Sequence, residues 1–300
     1  MRILVTGTEG QVARSLAERG PAHGATVALV GRPDLDLADP ARVEAAIRAR
    51  GGDVVVNAAA YTAVDQAESE PALAEAINGA GAGAVAAAAA ALGIPVVHLS
   101  TDYVFDGSLD RAYRETDPVQ PLGAYGRSKL EGERAVAAHA DHAILRTAWV
   151  YSPFGKNFVR TMLRLAGDRD EVSVVADQQG SPTAALDIAD AVIAVARNLA
   201  ERRDPALRGL FHMTGSGDTT WAGFATAIFA ESAARGGPSA RVRPIATAEY
   251  PTPARRPANS RLDCAKLAAV HGVTLPDWRL STADCVRRLL DDTSPKETRA

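Results

Sequence analysis

The chain has 300 residues, a formal net charge of −3 at pH 7 and 47% hydrophobic residues, which is enough for one large domain or for a main domain with a smaller one. The small negative charge gives no basis for nucleic acid or a membrane surface as a partner. The two cysteines, Cys264 and Cys285, are too few for a zinc knuckle or a disulfide framework, and the longest apolar tract, 84–92, is too short to span a bilayer. We therefore expect a cytoplasmic protein with no signal peptide.

The first predicted elements are a strand, a tight turn and a helix. Residues 2–6 are β-branched or apolar, Gly7 and Gly10 frame the turn, and Gln11 and Val12 lead into the helical pattern. Glycines at such a turn let backbone N–H groups approach a pyrophosphate, whose charge is favoured at a helix N-terminus. The alternative is a turn that needs glycine only for a positive φ. The strand-turn-helix context favours dinucleotide binding.

The end of the second predicted strand, 25–30, bears on which dinucleotide is bound. A carboxylate there binds the ribose hydroxyls of NAD, whereas a cation there binds the extra phosphate of NADP. Arg32 follows this strand and favours NADPH, the alternative being a solvated surface arginine. Asp36 either contacts the adenosine or prepares the turn before the helix cap at Asp39.

Strands and helices then alternate along the first half of the chain. The strand candidates are apolar on both faces, as parallel strands covered by helices must be, and Pro40 and Pro71 suit the first turns of helices. This alternation predicts an α/β fold with a doubly wound parallel sheet of the Rossmann type. The predicted strands are 2–6, 25–30, 53–57, 94–100, 143–147 and 172–175, and the later predicted helices are 43–47, 71–92 and 128–139.

Tyr125 and Lys129 are four positions apart, which places both side chains on one face of a helix. An ammonium close to a phenol favours the phenolate, so a tyrosine with an ordinary pKa of about 10 would exchange a proton nearer neutral pH. Thr101 ends a predicted strand upstream. The combination is typical of carbonyl reduction. An ordinary exposed helix turn has the same spacing, but the N-terminal turn favours the catalytic interpretation.

After about residue 151 prolines and glycines punctuate short elements. We interpret 1–150 as a dinucleotide-binding domain and 151–292 mainly as a smaller C-terminal substrate-binding subdomain, interleaved with late elements of the sheet. Residues 293–300 are polar and are expected to form a frayed tail.

In order and spacing these motifs resemble the dTDP-4-dehydrorhamnose reductase family of the extended short-chain dehydrogenase/reductase superfamily. The resemblance covers nearly the whole chain. It rests on residues 7–11, 56–65, 100–107, 121–129, 146–151, 177–183 and 256–260.

The resemblance implies roles for three residues. Tyr125 would protonate the carbonyl oxygen while the nicotinamide delivers hydride, and Thr101 would hydrogen-bond the same oxygen. Lys129 would hold the nicotinamide ribose and keep the phenol acidic. Preorganised donors aimed at an oxygen on which charge develops lower the barrier.

The resemblance also implies which residues contact the two ligands. Three of the substrate contacts have an alternative: Trp149 would be core, Asp102 would cap a loop and Tyr103 would pack beneath it. Three further candidates also have one: Asn57 would bind cofactor or substrate or would satisfy backbone, and Arg255 and Arg256 would bind the diphosphate or would be surface residues. The cofactor contacts implied are Gly7, Gly10, Gln11, Val12, Arg32, Asp36, Leu37, Ala60, Tyr61, Thr62, Tyr125 and Lys129, and the substrate contacts are Thr101, Asp102, Tyr103 and Trp149.

Two departures from the family pattern concern the dinucleotide. Ala13 stands where many members have glycine, which is a mild change, and the absence of an acidic residue near Val30 favours NADPH over strict NADH use. Some members dimerise through magnesium bound to acidic side chains. We find no local cluster for it and propose no metal, and a homodimer is an alternative to a monomer.

The implied activity is NAD(P)H-dependent reduction of the C4 ketone of a dTDP-linked 6-deoxy sugar, with dTDP-4-dehydro-L-rhamnose giving dTDP-L-rhamnose. One alternative is a related reductase of another dTDP-keto sugar, such as dTDP-dihydrostreptose synthase. The other is a non-catalytic nucleotide-binding subunit of the same fold, which would have no need of Thr101, Tyr125 and Lys129.

Overall fold

The computed structural model describes residues 1–293, and a six-stranded parallel sheet lies at the centre of the chain. The strands are β1 (Arg2–Thr6), β2 (Thr26–Val30), β3 (Val54–Asn57), β4 (Val96–Thr101), β5 (His142–Thr147), β6 (Val150–Tyr151), β7 (Glu171–Val175), β8 (Gln179–Gly180), β9 (Thr183–Ala184), β10 (Gly209–His212), β11 (Thr219–Thr220) and β12 (Arg241–Ile245). The helices are α1 (Gln11–Arg19), α2 (Pro40–Arg50), α3 (Pro71–Glu75), α4 (Ala82–Ala91), α5 (Ala124–Ala137), α6 (Phe158–Asp168), α7 (Ala185–Glu201), α8 (Trp221–Ala234), α9 (Ala265–His271) and α10 (Trp278–Thr293).

The strand order in the central sheet is β2-β1-β3-β4-β5-β10, which confirms the predicted doubly wound parallel sheet. The chain order reverses at β1, because β2 lies on one side of it and β3 on the other. Ligands of open parallel sheets bind outside the carboxyl ends of the strands at such a reversal. The topology therefore places a binding cleft beside the turn that follows β1.

Alternating side chains of the strands pack against helices on opposite faces of the sheet. Ile3 and Val5 of β1 belong to a core with α1 and α7, whereas Leu4 belongs to a core with α2 and α4. All three side chains are 0% exposed. Both faces are covered because successive strand side chains point to opposite sides, so a continuous apolar run fills two cores.

One continuous helical segment joins α3, a π-helical turn (Ala76–Gly81) and α4. By length and composition alone its residues Pro71–Ala91 pass as a membrane span, with 50% of the apolar window buried. This run is longer than the tract 84–92 noted in the sequence. Its alanines pack against α2 and α5, as expected of the core helix of an α/β domain.

A third apolar core lies in the C-terminal half of the chain, where α6, α8 and α10 pack around β7 and β12. The predicted strand 172–175 belongs to this core, where β7 pairs with β12. The prediction that it is a strand of the central sheet is wrong. Its burial alternates, with Ser173 exposed, because only one face is covered. The sixth strand of the central sheet is β10, which was missed because its four residues begin with glycine and carry no β-branched run.

Helix α5 begins at Ala124, four residues before the predicted start at 128. A Cβ at Gly126 would collide with the carbonyl oxygen of Tyr103. Glycine here serves the close approach of a helix to the loop after β4. Apart from Thr293, the predicted tail at 293–300 lies outside the described residues.

Candidate functional site

A cavity of about 1150 Å³ lies at the carboxyl ends of the central strands. Residues from both halves of the chain line it, and all the cofactor and substrate contacts that the family resemblance implies are among them. These are Gly7, Gly10, Gln11, Val12, Arg32, Asp36, Leu37, Ala60, Tyr61, Thr62, Thr101, Asp102, Tyr103, Tyr125, Lys129 and Trp149.

The turn between β1 and α1 is shaped to receive an anion. Gly7 has a φ of 95°, which a residue with a side chain rarely adopts, and its N–H donates to the carbonyl of Val30 at 2.7 Å. The N-cap of α1 is Gly10, which has no side chain to cap the helix. The first N–H groups of α1 therefore face the cavity wall without a side-chain acceptor at the N-cap, and this fits the pyrophosphate of a dinucleotide.

The residues after β2 form the wall expected to hold the adenosine. Asp36 accepts a hydrogen bond from the N–H of Ala38 at 2.9 Å, so its carboxylate already organises the turn. Asp34 is paired with Arg50, whereas Arg32 is exposed and lines the cavity. At this wall Arg32 is exposed, and the carboxylate of Asp34 is already paired with Arg50. Such an arrangement suits the binding of a phosphate.

Asn78, in the π-helical turn, holds the loop after β3 and was missed by the sequence analysis. It is 1% exposed, accepts from the N–H of Tyr61 at 2.8 Å and donates to the Tyr61 carbonyl at 3.0 Å. It also donates to the hydroxyl of Ser128 at 2.9 Å. The side-chain amide of Asn78 thereby connects the loop after β3 to α5. An asparagine inside an alanine-rich helix is the sequence signal that would have found it, since π-helical turns recur at functional sites.

Asn57 does not line the cavity. It accepts a hydrogen bond from the hydroxyl of Thr6 at 2.7 Å, and its amide lies 3.0 Å from Nδ1 of His98. The structure therefore favours an internal role in joining β1, β3 and β4 over contact with a ligand.

The predicted catalytic residues meet at the end of β4 and the start of α5. Lys129 is 3% exposed, and its Nζ donates to the carbonyl of Leu99 at 2.7 Å. The hydroxyl of Thr101 donates to Asp102 at 3.0 Å and accepts from the N–H of Tyr103 at 3.2 Å. The rings of Tyr103 and Tyr125 meet edge to face, with centroids 5.7 Å apart.

The expected lowering of the Tyr125 pKa by Lys129 is wrong. Burial raises the pKa of Tyr125 to about 12, and a side-chain hydrogen bond with Thr101 only partly opposes this. Burial also lowers the pKa of Lys129 to about 8, while the carboxylate of Glu133 acts in the opposite direction. Removing the phenol from water disfavours its anion more than the surrounding groups favour it. Tyr125 therefore keeps its hydroxyl proton at neutral pH.

Asp102 is a buried carboxyl at the inner end of the cavity. It is 2% exposed, burial raises its pKa to about 6, and its Oδ2 has no hydrogen-bond partner among the described residues. The Thr101 hydroxyl caps the short helix after β4, and backbone hydrogen bonds at Asp102 and Tyr103 also favour the Asp102 carboxylate, so the carboxyl both borders this loop and lines the cavity. An acceptor left over in a buried carboxyl is suited to a ligand hydroxyl.

Trp149 is part of an aromatic wall. The backbone φ of Trp149 is 48°, and a positive φ is costly for a residue with a bulky side chain. Its ring stacks on Trp221 with centroids 3.6 Å apart and 8° between the planes, and a Cβ at Gly180 would collide with it. Gly180 and Trp221 thus form a slot, defined by their close contact with the ring, that holds Trp149 in this strained conformation. Trp221 was missed because it lies 72 positions further along the chain.

The loop after β6 also reaches the cavity. The hydroxyl of Ser152 donates to Oε1 of Gln11 at 2.8 Å, and Gly155 and Lys156 line the cavity. No local sequence pattern indicates this segment, because its contact with the first turn joins positions 141 residues apart.

Arg256 is held away from the role of diphosphate ligand. Its guanidinium donates to Asp65 at 2.8 Å, and neither Arg255 nor Arg256 lines the cavity. In the part of the chain that the structure describes, no group of three or more His, Cys, Asp or Glu residues is placed to hold a metal ion.

Comparison with known proteins relates this site to one family. A family model described as RmlD substrate binding domain matches residues 1–290. The chain is 52% identical over 292 residues to dTDP-4-dehydrorhamnose reductase of Sinorhizobium fredii, covering 97% of this chain and 98% of the relative. Curated relatives at 40–52% identity carry the same name.

Solved structures show the same relationship. A dTDP-4-dehydrorhamnose reductase from Clostridium acetobutylicum is 37% identical with a TM-score of 0.89, covering 97% of this chain and 100% of that one. The enzyme of the same name from Bacillus anthracis, in complex with NADP, is 33% identical with a TM-score of 0.87, covering 97% and 99%.

Proposed function

Because the chain belongs to the RmlD substrate-binding domain family of dTDP-4-dehydrorhamnose reductases, we propose that it reduces the C4 ketone of a dTDP-linked 6-deoxy sugar with NADPH. The substrate is dTDP-4-dehydro-L-rhamnose and the product is dTDP-L-rhamnose. The observation that carries this proposal is the meeting of Thr101, Tyr125 and Lys129 with the uncapped turn before α1 in one cavity.

The proposed mechanism separates hydride transfer from proton transfer. When bound, the reduced nicotinamide supplies the hydride for the carbonyl carbon. Tyr125 is neutral because burial raises its pKa to about 12, so it donates the proton that the carbonyl oxygen gains. The hydroxyl of Thr101, which donates to Asp102 in this structure, turns towards that oxygen to give it a second hydrogen bond. Donors aimed at an oxygen on which negative charge develops stabilise the transition state.

Lys129 serves the cofactor. Its ammonium is held by the carbonyl of Leu99 and stays charged below its pKa of about 8. The remaining N–H bonds of this ammonium bind the hydroxyls of the nicotinamide ribose. The turn at Gly10, Gln11 and Val12 binds the pyrophosphate, and Arg32 binds the extra phosphate of NADPH.

The sugar is placed between the two halves of the chain. Asp102, Tyr103 and Trp149 contact it from residues 1–150. Trp221, which stacks on Trp149 and lines the same cavity, supports the assignment of substrate binding mainly to 151–292 and of dinucleotide binding to 1–150. The remaining cofactor contacts are Gly7, Asp36, Leu37, Ala60, Tyr61 and Thr62. We further propose a cytoplasmic enzyme, with a homodimer as the alternative to a monomer.

The alternatives have less support. Relatives at 40–52% identity are named as the rhamnose reductase, which favours this sugar over that of a related reductase such as dTDP-dihydrostreptose synthase. A non-catalytic nucleotide-binding subunit would have no use for a buried lysine one helical turn from a buried phenol.

Loss of NADPH absorbance in the presence of dTDP-4-dehydro-L-rhamnose tests the proposal. The purified chain should oxidise NADPH and form dTDP-L-rhamnose, and a panel of other dTDP-keto sugars should react more slowly. Tyr125→Phe is the matched control, since it removes only the acidic hydroxyl. Oxidation no faster than that of Tyr125→Phe would refute the proposed activity, and a faster reaction with another keto sugar would reassign the substrate.

A further inference from the structure

A buried ion pair lies directly behind the proposed catalytic residues. Glu133 of α5 is 5% exposed and Arg146 of β5 is 2% exposed. The guanidinium donates to both oxygens of the carboxylate, from Nε at 2.8 Å and from Nη2 at 2.7 Å. Burying two charges costs desolvation energy that their attraction only roughly offsets. Stability alone is therefore a weak reason for the pair.

The surroundings of the pair connect it to the site. The hydroxyl of Ser100 donates to Oε1 of Glu133 at 2.5 Å, and Ser100 directly precedes Thr101 on β4. Glu133 lies one helical turn after Lys129 on the buried face of α5. The carboxylate thus fixes the helix that carries Lys129 against the strand that carries Thr101.

The charge of Glu133 also acts on Lys129. Burial lowers the pKa of Lys129 to about 8, and the carboxylate of Glu133 raises it. His98 faces Lys129 from the sheet as a neutral ring, since burial holds the pKa of His98 well below its ordinary value. Asn78, packed against α5 from the π-helical turn, is uncharged. Among the described residues, the groups that interact with Lys129 by charge are His98 on β4 and Glu133 on α5. Tyr125 lies one turn earlier on α5 and interacts with Asp102, and Arg146 of β5 is paired with Glu133.

We propose that Glu133, held by Ser100 and Arg146, is a positioning residue that sets Lys129 against the end of β4 and keeps its ammonium charged for binding of the nicotinamide ribose. This inference rests on the proposed function and extends it to a residue that touches neither ligand. It assigns to the ion pair a part in reduction that is separate from its part in folding.

The pH dependence of kcat/KM in Glu133→Gln tests the proposal. Since the carboxylate favours the charged form of Lys129, its removal lets the ammonium lose its proton at lower pH. The fall of kcat/KM on the alkaline side should move to lower pH by about one unit or more. Glu131→Gln is the matched control, because Glu131 is exposed on the same helix, and its alkaline fall should stay at the wild-type pH.

A second variant separates this effect from misfolding. Glu133→Gln leaves the guanidinium of Arg146 buried without its partner, which can unfold the chain. Glu133→Gln/Arg146→Met removes both charges, and its alkaline fall should move in the same direction by a smaller amount. Circular dichroism identifies the folded variants. The proposal would be overturned if the folded variants had a lower kcat at every pH while kcat/KM fell at the same alkaline pH as in the wild type. Glu133 would then have only a structural role.

Binding of NADPH as a function of pH gives a readout independent of turnover. The nicotinamide fluorescence of bound NADPH should weaken at a lower pH in Glu133→Gln than in the wild type. If the wild type binds NADPH but does not reduce the dTDP-sugar, and the shift is still seen, the proposed function fails and the role of Glu133 stands. If the wild type reduces the sugar and neither pH profile shifts, the role of Glu133 fails and the function stands.

Discussion

Gly180→Ala is expected to damage the sugar side of the cavity while leaving the cofactor side intact. The φ of Gly180 lies outside the left-handed region, so alanine fits the backbone. The added Cβ, however, would lie 2.6 Å from Nε1 and 2.7 Å from Cζ2 of Trp149. Because Trp221 also stacks on that ring, the indole has to move out of its slot or the strand has to shift.

The expected magnitude follows from the cost of overpacking. Inserting a methyl group into a filled site typically costs about 1–3 kcal/mol. If transition-state stabilisation by the contact between Trp149 and the sugar is reduced by that amount, kcat/KM for the keto sugar falls roughly 5- to 150-fold, at about 1.36 kcal/mol per factor of ten. The dissociation constant for NADPH should stay at the wild-type value, since the pyrophosphate turn is formed by other residues.

Steady-state kinetics with the keto sugar, NADPH titration and tryptophan fluorescence together check this prediction. Gly167→Ala is the matched control, because Gly167 lies in α6 and a Cβ there meets no atom within 4 Å. It should leave kinetics and fluorescence unchanged. A folded Gly180→Ala enzyme with wild-type kcat/KM and wild-type fluorescence would refute the reasoning that the slot holds Trp149 for the sugar.

Three further changes test the other parts of the cavity. Arg32→Ala should raise KM for NADPH roughly 10-fold or more and leave KM for NADH nearly unchanged, because hydrogen bonds to a charged phosphate are worth about 1.5–3 kcal/mol; equal effects in NADPH and NADH kinetics would make Arg32 ordinary surface. Asp102→Asn should raise the free energy of unfolding by about 2–3 kcal/mol at pH 8. The pKa of the Asp102 carboxyl is raised from 3.8 to about 6. Its contribution to stability is therefore complete below pH 4 and is lost as the pH rises through about 6. Urea denaturation at pH 8 and pH 4 measures this gain, and an equal gain at both pH values would contradict the cause given. Asn78→Ala should destabilise the fold by roughly 2–4 kcal/mol and raise KM for the cofactor, because three hydrogen bonds to Tyr61 and Ser128 are lost; unchanged cofactor KM would limit Asn78 to folding.

Much of the fold was predictable because its signals are local. The apolar runs of β1 to β5 and the proline at the start of α2 and α3 each lie within a few neighbouring residues. Strand β7 was predicted as an element but misplaced in the central sheet. Which sheet a strand joins depends on partners far along the chain, here β12. Strand β10 was missed because pairing with β5, not its own composition, makes it a strand.

The cavity was predictable only in part, for a similar reason. Gly7, Gly10, Tyr125 and Lys129 are recognisable because their spacing expresses a turn or one face of a helix. Trp221 and Asn78 carry no such spacing, and their contacts join segments distant in the chain.

By itself the sequence determined the α/β class, the N-terminal strand-turn-helix and the common helix face of Tyr125 and Lys129, since each depends on backbone geometry over one or two turns. Only the tertiary structure decided that burial holds Tyr125 neutral, that Glu133 pairs with Arg146 behind Lys129, and that Trp149 is held by Gly180 and Trp221. Desolvation and close packing depend on which distant segments surround a side chain, and no local pattern of residues records that.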